Sequence, residues 1–525
     1  MRYPQTSDAL ALAVSSVLLT ACGGSDDPPP APPPAALKQT VACTDLKTGY
    51  QAAEGNVAIT SSTAVAATAD VPAHCSVTGT IRGNIKFAMY MPSQWNGKFQ
   101  MVGNGGKAGT ISLPAMAEAL KQGYATSSTD TGHDAASPTE GGARFGNDAL
   151  FGKEREIDFG YRAVHVTALT SKDIIKAHYP DNLQFSYWNG CSTGGRQGLM
   201  ELQNFPDDFD GYVVGAPVYN YVGQQLAAPA ALQPLYKNGI TGGSIISPAK
   251  RDMIGNIVYN GNGTNFAGCD AKDGLVDGQI RNPLTCDFNP AVHVPACDGT
   301  NAAACLTATE LNALQEVYAG KPPFTLRLPF GSENTPGGWM SWIIPNSGLP
   351  QLHPVMVDAF QWLMFDPDRP NFNYLTDFNW ATDPFQMEGA KLLYNATNPD
   401  LRAQMKAGKK IIMYHGWGDP GANPLRSIEY RNNVVNTIKD PEAVDKFYKL
   451  FMIPGLAHCS GGQGHTTVDF MGPITKWVEQ GQAPQQLIGS KTGSTRPHCA
   501  YPQEAVYNGT GDQNVAANYT CKLPL

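Results

Sequence analysis

A five-residue motif, Gly190-Cys191-Ser192-Thr193-Gly194, constrains the fold of this chain more than any other feature. It follows an apolar run from Leu183 to Trp188, which predicts a buried strand. The Gly-x-Ser-x-Gly spacing is typical of a sharp strand-to-helix turn, in which the serine is strained and the glycines avoid Cβ clashes. Because the chain has 55 glycines, such a motif also arises by chance, and an ordinary turn stays open on the motif alone.

Two polar residues follow strand-like apolar runs further along the chain. The run from Lys410 to Tyr414 leads into a loop that contains Asp419, and the run from Phe447 to Ile453 leads into a loop that contains His458. A single loop aspartate or histidine is more often only solvated. The order serine, acid, histidine at strand ends is, however, that of the nucleophile, orienting acid and base of an α/β-hydrolase. We therefore expect Ser192, Asp419 and His458 to form a catalytic triad.

Cysteines adjoin two of these residues, since Cys191 precedes Ser192 and Cys459 follows His458. A disulfide keeps its two Cα atoms within about 7 Å of each other. If Cys191 and Cys459 were bonded, the serine and the histidine would be held as neighbours. The bond would then be part of the active-site scaffold.

The Cys-Ser, Asp, His-Cys arrangement and the run Cys191 to Gly198, CSTGGRQG, resemble the tannase and feruloyl esterase family. The resemblance extends from about Cys43 to Cys521. It implies the α/β fold class, with an α/β-hydrolase core and a large inserted lid domain. It also implies hydrolysis of aromatic carboxylic esters, of hydroxycinnamoyl or galloyl type, through an acyl-enzyme. Hydrolysis of mono(2-hydroxyethyl) terephthalate occurs in the same family and stays open as an alternative.

The rhythm of strands and helices predicts where the inserted lid begins and ends. Alternation stops near Val218 and resumes near Leu401, and the residues between are rich in Gly, Pro, Asn and aromatics. The expected segments are a lipoprotein-type signal peptide (1–22), a Pro-rich linker (23–42), the first part of the core (43–217), the lid (218–398) and the second part of the core (399–525).

The first residues predict export. Arg2 precedes an apolar stretch from Ala9 to Leu19, which is too short to span a bilayer. The ending Leu19-Thr20-Ala21-Cys22 resembles a bacterial lipobox, so we expect lipidation at Cys22, with a plain signal peptide as the alternative. The proline tract from Pro28 to Pro34 would then be an extended tether. We expect a periplasmic or outer-membrane lipoprotein, or a secreted enzyme.

Charge and cysteine content limit the partners and the compartment. A net charge of −8 argues against nucleic acid or an anionic membrane surface as a partner, so the only expected membrane contact is the lipid at Cys22. We expect a monomer that binds a small aromatic ester. Eleven cysteines less Cys22 leave ten, an even number that suits disulfides in an oxidising compartment. Proximity and the family resemblance suggest the pairs Cys43–Cys75, Cys191–Cys459, Cys269–Cys286, Cys297–Cys305 and Cys499–Cys521.

A second chemical signal lies inside the expected lid, in the run from Cys269 to Ile280. Its carboxylates, with glycines that permit sharp turns, suit a hard cation with oxygen ligands, and calcium is the natural candidate. The spacing is not that of an EF-hand, and an acidic surface turn is the alternative. Backbone carbonyls complete the set that the family resemblance also implies. The expected structural calcium ligands are Asp270, Asp273, Leu275, Asp277 and Gln279.

Charge that develops on a tetrahedral intermediate needs hydrogen-bond donors already in place. We expect one from the backbone N–H of Thr193, which follows the serine directly. The turn Gly103-Asn104-Gly105-Gly106 follows the predicted strand from Phe99 to Val102, and Gly105 or Gly106 is expected to supply the second. A simple hairpin turn is the alternative for this segment.

Aromatic residues in the lid are candidates for a ring-binding wall, although such residues more often form the lid's own core. Arg369 is a candidate partner for a substrate carboxylate, although a lone arginine is more often a surface charge. His415 is expected to be a structural loop residue rather than a second base. The aromatic candidates are Trp339, Trp342, Phe360, Trp362 and Phe365.

Two other functions remain compatible with the sequence. A serine peptidase uses the same triad, but no peptide-binding cleft is recognisable in the sequence. A non-catalytic cell-surface binding protein on a hydrolase scaffold is the second, and an intact Ser, Asp and His in order argues against it.

Overall fold

The computed structural model describes residues 41–46, 51–52, 55–179, 183–299 and 303–524. The expected signal peptide, the lipidation site Cys22 and most of the expected linker lie outside the described residues. Within the described part of the chain, no helix is long and apolar enough to cross a membrane.

Ten strands form one mixed sheet, in the order β1-β2-β3-β4-β6-β5-β7-β8-β9-β10. The strands are β1 (Gln51–Ala52), β2 (Gly55–Val65), β3 (His74–Ile81), β4 (Ile85–Pro92), β5 (Lys98–Val102), β6 (Ala125–Thr129), β7 (Phe185–Cys191), β8 (Gly211–Gly215), β9 (Lys410–Gly416) and β10 (Tyr448–Ile453). From β6 to β10 every neighbouring pair is parallel, whereas β1 to β4 are joined antiparallel. Parallel strands are buried on both faces, and every residue of β8 and β10 is buried.

Helices cover both faces of the parallel part, and further helices lie between β8 and β9. The helices of the described residues are α1 (Leu113–Lys121), α2 (Asp148–Phe151), α3 (Glu154–Ile157), α4 (Ala163–His178), α5 (Thr193–Asn204), α6 (Tyr221–Gln225), α7 (Ala227–Leu235), α8 (Pro248–Asn260), α9 (Pro290–His293), α10 (Ala308–Ala319), α11 (Trp339–Trp342), α12 (Leu352–Met356), α13 (Ala359–Trp362), α14 (Glu388–Tyr394), α15 (Arg402–Lys406), α16 (Leu425–Ile438), α17 (Pro441–Asp445) and α18 (Met471–Gln480). One face packs α4, α5 and α16 into a common core, and the other packs α1 and α18. This is the expected α/β-hydrolase sandwich, in which loops at the carboxyl ends of the strands gather at one edge.

The chain between β8 and β9 has a different construction. Its described residues contain helices α6 to α15 and no strand beyond the isolated bridge between Ala296 and Leu306. They pack mainly on one another in a hydrophobic cluster that includes Trp339 and Phe360. We call residues 218–398 the insertion. It joins the core as a long helical excursion between two neighbouring parallel strands.

The carboxyl-terminal part adds two small antiparallel sheets. The first contains β11 (Thr467–Val468), β12 (Gln486–Lys491) and β13 (Ser494–Cys499). The second pairs β14 (Glu504–Tyr507) with β15 (Tyr519–Lys522).

All five suggested cysteine pairs are formed. Their Cα–Cα distances lie between 4.9 and 5.9 Å, as a disulfide requires. Four of the bonds close loops of 8 to 32 residues, whereas Cys191–Cys459 joins positions 268 apart in the sequence. The sequence therefore predicted the disulfide framework correctly.

Candidate active site

Ser192 sits on the turn between β7 and α5, in a backbone conformation that side chains rarely adopt. Its φ is 61° and its ψ is −122°. β7 ends at Cys191 and α5 begins at Thr193, so Ser192 alone forms the turn between strand and helix. Such strained turns present the central side chain above the sheet edge.

The two glycines of the motif are required by close backbone packing. A Cβ on Gly190 would lie 2.7 Å from the carbonyl carbon of Gly194, which is closer than real Cβ contacts. A Cβ on Gly194 would lie 3.1 Å from the carbonyl oxygen of Asn104. The Gly-x-Ser-x-Gly spacing therefore lets strand, turn and helix cross at contact distance.

A chain of hydrogen bonds joins the three residues that were expected to act together. His458 Nε2 lies 2.8 Å from the Oγ of Ser192. On the other side of the ring, His458 Nδ1 lies 2.7 Å from Oδ2 of Asp419. Ser192 follows β7, Asp419 follows β9 and His458 follows β10. Such a chain is able to take a proton from the hydroxyl and stabilise the charged imidazole that results.

Asp419 is held in place on its other side by the backbone. Its Oδ1 accepts hydrogen bonds from the N–H groups of Gly421 and Ala422, each at 2.8 Å. His415 Nε2 lies 3.3 Å from Oδ2. His415 is fully buried at the end of β9, and its Nδ1 is 2.8 Å from the Oγ of Ser427. It thus has the expected structural position, although on a strand and not in the loop.

The surroundings of His458 and Asp419 favour a protonated imidazole beside an ionised carboxylate. Burial lowers the pKa of His458, but the charge of Asp419 and its hydrogen bond outweigh burial, so this pKa lies above its usual value of 6.5. Burial raises the pKa of Asp419, but the opposing effects of His458 and His415 hold that pKa well below its usual range. Asp419 therefore stays ionised at neutral pH and orients the imidazole.

The disulfide Cys191–Cys459 braces this arrangement, with its Cα atoms 5.9 Å apart. Cys459 itself has a φ of 65°, so the backbone on both sides of the bond is in an unusual conformation. The bond connects the turn of Ser192 to the loop of His458 directly. Because Ser192 and His458 each adjoin one of the bonded cysteines, the bond keeps their backbones close to each other.

The loop after β5 lies against the Ser192 turn. The Thr193 hydroxyl donates a hydrogen bond to the carbonyl of Gly106, and Gly103 N–H donates to the carbonyl of Asn189 at 2.9 Å. Gly105 and Gly106 are exposed. The loop that carries both glycines is thus attached to the elbow.

Sequence reasoning missed the side chains that hold this loop. Gln197, on α5, accepts the N–H of Asn104 at 3.0 Å and donates to the Asn104 side chain at 3.0 Å. Asn104 also donates to the carbonyls of Thr110 and Thr129. The signal for Gln197 was its place in the CSTGGRQG run, one helical turn after Thr193, where its side chain reaches the loop that follows β5.

The insertion places one of the aromatic candidates beside His458. The ring centroid of Trp342 is 5.2 Å from that of His458, at an interplanar angle of 80°. Three of the other candidates, Trp339, Phe360 and Phe365, are buried in the insertion's own core. The fifth, Trp362, is partly buried against the same core.

Arg369 is engaged within the insertion. Its guanidinium lies 3.7 Å from the ring centroid of Phe365, and its Nη1 is 3.4 Å from Oδ1 of Asp383. Nη2 donates to the side chain of Gln386 at 2.5 Å. Through these contacts Arg369 connects neighbouring segments of the insertion.

The expected calcium ligands lie in the acidic turn of the insertion, but their three carboxyl groups do not all come within 4.8 Å of one another. Four of them, Asp273, Leu275, Asp277 and Gln279, line one cavity of about 280 Å³. Asp270 is buried beside them, and its Oδ atoms accept the N–H groups of residues 277, 278 and 279 at 3.0 to 3.3 Å.

The charges of this turn decide whether it fits a cation. Burial raises the pKa of Asp270 and of Asp273, and the negative charge of Asp277 adds to both increases. Arg496 Nη1 donates to Asp277 at 3.1 Å, and Arg281 Nε is 4.0 Å from Asp273. Carboxylate and carbonyl oxygens are the ligand type that a hard cation such as calcium takes, so the chemistry of this donor set fits calcium.

Comparison with known proteins identifies relatives over most of the chain. The family model for tannase and feruloyl esterase matches residues 69–522. An uncharacterized esterase of Xanthomonas campestris pv. campestris is 32% identical over 512 residues, covering 86% of this chain and 84% of the relative. Mono(2-hydroxyethyl) terephthalate hydrolase of Piscinibacter sakaiensis is 30% identical over 540 residues, covering 88% and 87%. The crystal structure of feruloyl esterase B from Aspergillus oryzae superposes with a TM-score of 0.75 at 26% identity, covering 89% of this chain and 97% of that one.

Proposed function

The chain belongs to the tannase and feruloyl esterase family of carboxylic ester hydrolases, and we propose that it is a serine esterase for aromatic esters of the hydroxycinnamoyl or galloyl type. The observation that carries the proposal is the hydrogen-bond chain from Ser192 through His458 to Asp419. Its geometry is that of a nucleophile, a base and an orienting acid.

The proposed reaction has two stages. His458 Nε2 takes the Ser192 proton as Oγ attacks the ester carbonyl carbon, and the tetrahedral intermediate collapses when the alkoxide leaves with that proton. The acyl group is then bound to Ser192. Water repeats the sequence, with His458 again as base, and releases the carboxylic acid. Asp419 keeps Nδ1 protonated throughout and stabilises the imidazolium.

Negative charge on the intermediate would be stabilised by backbone donors at the elbow. The N–H of Thr193 begins α5, where the helix dipole also favours an anion. Gly105 or Gly106 would supply the second donor from the loop that Gln197 holds. Loss of one such donor in a serine hydrolase costs about 2.7 to 4 kcal/mol of transition-state stabilisation.

The aromatic preference rests on Trp342 and on the relatives. An indole next to His458 offers a flat apolar surface to a substrate ring that approaches Ser192. One relative is named a feruloyl esterase and another a mono(2-hydroxyethyl) terephthalate hydrolase, and both names describe esters with an aromatic acyl group. The terephthalate monoester is therefore the second candidate substrate.

A turnover panel tests the substrate class. Purified enzyme is assayed with methyl ferulate, methyl gallate, mono(2-hydroxyethyl) terephthalate and methyl acetate at equal concentrations. We expect the highest kcat/KM for methyl ferulate or methyl gallate and the lowest for methyl acetate. A terephthalate monoester preference would move the assignment to the second candidate, and a preference for methyl acetate would contradict aromatic specificity.

The nucleophile is tested in the same assay. We expect Ser192→Ala to lower kcat by roughly 10⁶-fold with an unchanged fold, as loss of the serine does in other hydrolases. Ser460→Ala removes an exposed hydroxyl two residues after His458 and should keep full activity. A fluorophosphonate probe should label the enzyme but not Ser192→Ala. Absence of labelling in the unmodified enzyme would instead support a non-catalytic binding protein.

We also propose that the acidic turn of the insertion binds a structural calcium ion. Asp270, Asp273 and Asp277, with the carbonyls of Leu275 and Gln279, would hold it. A bound ion would offset the mutual repulsion of the carboxylates and stiffen the loop that the disulfide Cys269–Cys286 closes. Removal of calcium by EGTA should lower the Tm, and calcium but not magnesium should restore it. An unchanged Tm would contradict the site.

We propose export of the enzyme to an oxidising compartment, with a lipid anchor at Cys22. Five disulfides support the compartment, because such bonds are rare in reducing cytosol. The anchor rests on the lipobox-like sequence alone. Incorporation of labelled palmitate into the enzyme, and its loss in Cys22→Ser, tests it; a soluble enzyme with no label would favour the plain signal peptide.

A further inference from the structure

Three titratable side chains meet on the side of the sheet that α4 and α5 cover. They come from three parts of the fold: His165 from α4, Glu201 from α5 and Asp208 from the turn that leads into β8. One potential ligand atom from each lies within 4.8 Å of the other two. Among the described residues this is the one trio of His, Cys, Asp or Glu gathered so closely.

Glu201 is the unusual member of the trio. It is fully buried, and neither of its carboxyl oxygens accepts a hydrogen bond from a nitrogen or hydroxyl donor of any described residue. Its carboxyl group faces that of Asp208. The two groups can form a hydrogen bond with each other only if one of them keeps its proton. Burial and the nearby Asp208 charge raise the pKa of Glu201. A buried carboxyl without a donor is costly and requires a compensating partner.

His165 is fixed in orientation and reaches solvent. Its ring stacks on Phe205 with centroids 3.7 Å apart and an interplanar angle of 10°. Its Nδ1 lies 2.6 Å from Oδ2 of Asp208, and the side chain is 16% exposed. The imidazole therefore lies between the buried carboxyls and the surface, where an ion would enter.

The positive charge near Glu201 and Asp208 does not balance two ionised carboxyl groups. Lys172 Nζ is 3.9 Å from Oδ1 of Asp208 and also donates to the carbonyl of Asp207 at 3.4 Å. Among the described residues, Lys172 is thus the ammonium that faces the two carboxyl groups, and it contacts Asp208 at 3.9 Å.

We propose that His165, Glu201 and Asp208 form a binding site for a divalent transition-metal ion of the zinc class. One imidazole and two carboxylates are a donor set that such ions take at about 2.0 to 2.2 Å, whereas calcium prefers oxygen alone. The ion would supply the charge that Glu201 lacks. It would also connect α4 to α5, the helix that begins directly after Ser192, and to the turn before β8, so its role is structural.

The test measures zinc uptake by the full chain. The enzyme is stripped with EDTA, dialysed into excess calcium to fill oxygen sites, and equilibrated with Zn²⁺ before metal analysis. We expect one zinc per chain above the calcium-protected background, and a rise in Tm on zinc addition. His165→Ala and Glu201→Gln should each weaken the uptake by at least tenfold.

A matched histidine variant separates this site from adventitious binding. His293 is also a half-buried imidazole stacked on a phenylalanine, with centroids 4.4 Å apart, but it is not part of the trio. His293→Ala should take up zinc as the unmodified enzyme does. Co²⁺ in place of Zn²⁺ should give visible absorption bands that His165→Ala lacks.

Two outcomes would overturn the proposal. Equal zinc uptake in His165→Ala and in the unmodified enzyme would place the ion elsewhere. No uptake by the unmodified enzyme, together with an infrared carbonyl stretch of a protonated carboxyl that disappears in Glu201→Gln, would show that Glu201 and Asp208 share a proton instead. Because His165 is partly exposed, its alanine variant should fold, and retained ester turnover checks this.

Discussion

The core and the insertion position their residues by different means. In the core, parallel pairing sets the register of β9 against β10, with Gly416 opposite Ile453, and the loops of Asp419 and His458 start from adjacent strand ends. In the insertion, ion pairs and hydrogen bonds of side chains hold the residues in position. Lys250 forms a buried ion pair with Glu310 at 2.6 Å, and Asp358 pairs with Lys107 of the core loop while accepting the N–H of Ala143 at 2.6 Å.

This difference predicts two kinds of mutational effect. Residues placed by strand ends should govern the chemical step, because they act on the reacting atoms. Residues of the insertion should govern substrate binding, because they supply a surface and not a proton. Changes in the core should therefore lower kcat, and changes in the insertion should raise KM.

The largest effect is expected for Asp419→Asn. The amide still accepts the N–H groups of Gly421 and Ala422, but its NH₂ would face His458 Nδ1 and favour the wrong tautomer. In a serine protease the equivalent change lowers kcat about 10⁴-fold, and we expect a similar loss for aryl ester turnover. Asp70→Asn, at an exposed position, is the control. Activity within tenfold of the unmodified enzyme would remove Asp419 from the proposed triad.

The second effect concerns the brace at the active site. Replacing Cys191 and Cys459 together by serine should lower kcat about 10²-fold, because a displacement of about 1 Å has such a cost. It should also lower stability by roughly 2 to 5 kcal/mol, measured by chemical denaturation. The same double change at Cys297 and Cys305, in the insertion, opens a loop of only 8 residues and should leave kcat intact. Equal losses of kcat in the two variants would show that the bond at the elbow has no special role.

The core could be predicted from the sequence because its signals are local. The apolar runs around β7, β9 and β10 and the glycines of the elbow each identify a strand end. A π-helical turn, Asp158–Arg162, precedes α4 and was not among the predicted elements. The strand-to-helix motif predicts a helix after Ser192, and α5 begins at Thr193.

The insertion could not be predicted in the same way. Its helices are mostly short and their packing depends on long-range contacts, such as Tyr236 donating to the carbonyl of Ile343 at 2.7 Å. Nothing in the local sequence distinguishes Trp342, which reaches His458, from Trp339, which is buried three residues earlier. The Glu201 trio was missed for a related reason, since His165 lies 36 residues before Glu201 and only the packing of α4 on α5 joins them.

A smaller effect, of the opposite kinetic type, is expected for Trp342→Ala. Loss of the indole beside His458 should raise KM for methyl ferulate about tenfold, which corresponds to an apolar contact of about 1.4 kcal/mol. The kcat should change by less than about threefold, because Ser192, His458 and Asp419 are unchanged. Trp362→Ala removes a tryptophan packed on the insertion core and is the control. A large fall in kcat with unchanged KM would place Trp342 in the chemistry and weaken the contrast between the two regions.

The smallest effect is a change with pH that belongs to the core alone. His458 has to be neutral to accept the Ser192 proton, and its pKa is raised above 6.5 by Asp419. Turnover should therefore fall as the pH decreases through that raised pKa, so that at pH 6.5 the kcat/KM is less than half of its plateau value. Trp342→Ala should shift this acidic limb little, because an indole carries no charge. An acidic limb well below pH 6.5 in the unmodified enzyme would mean that Asp419 does not stabilise the imidazolium, against the short contact between them.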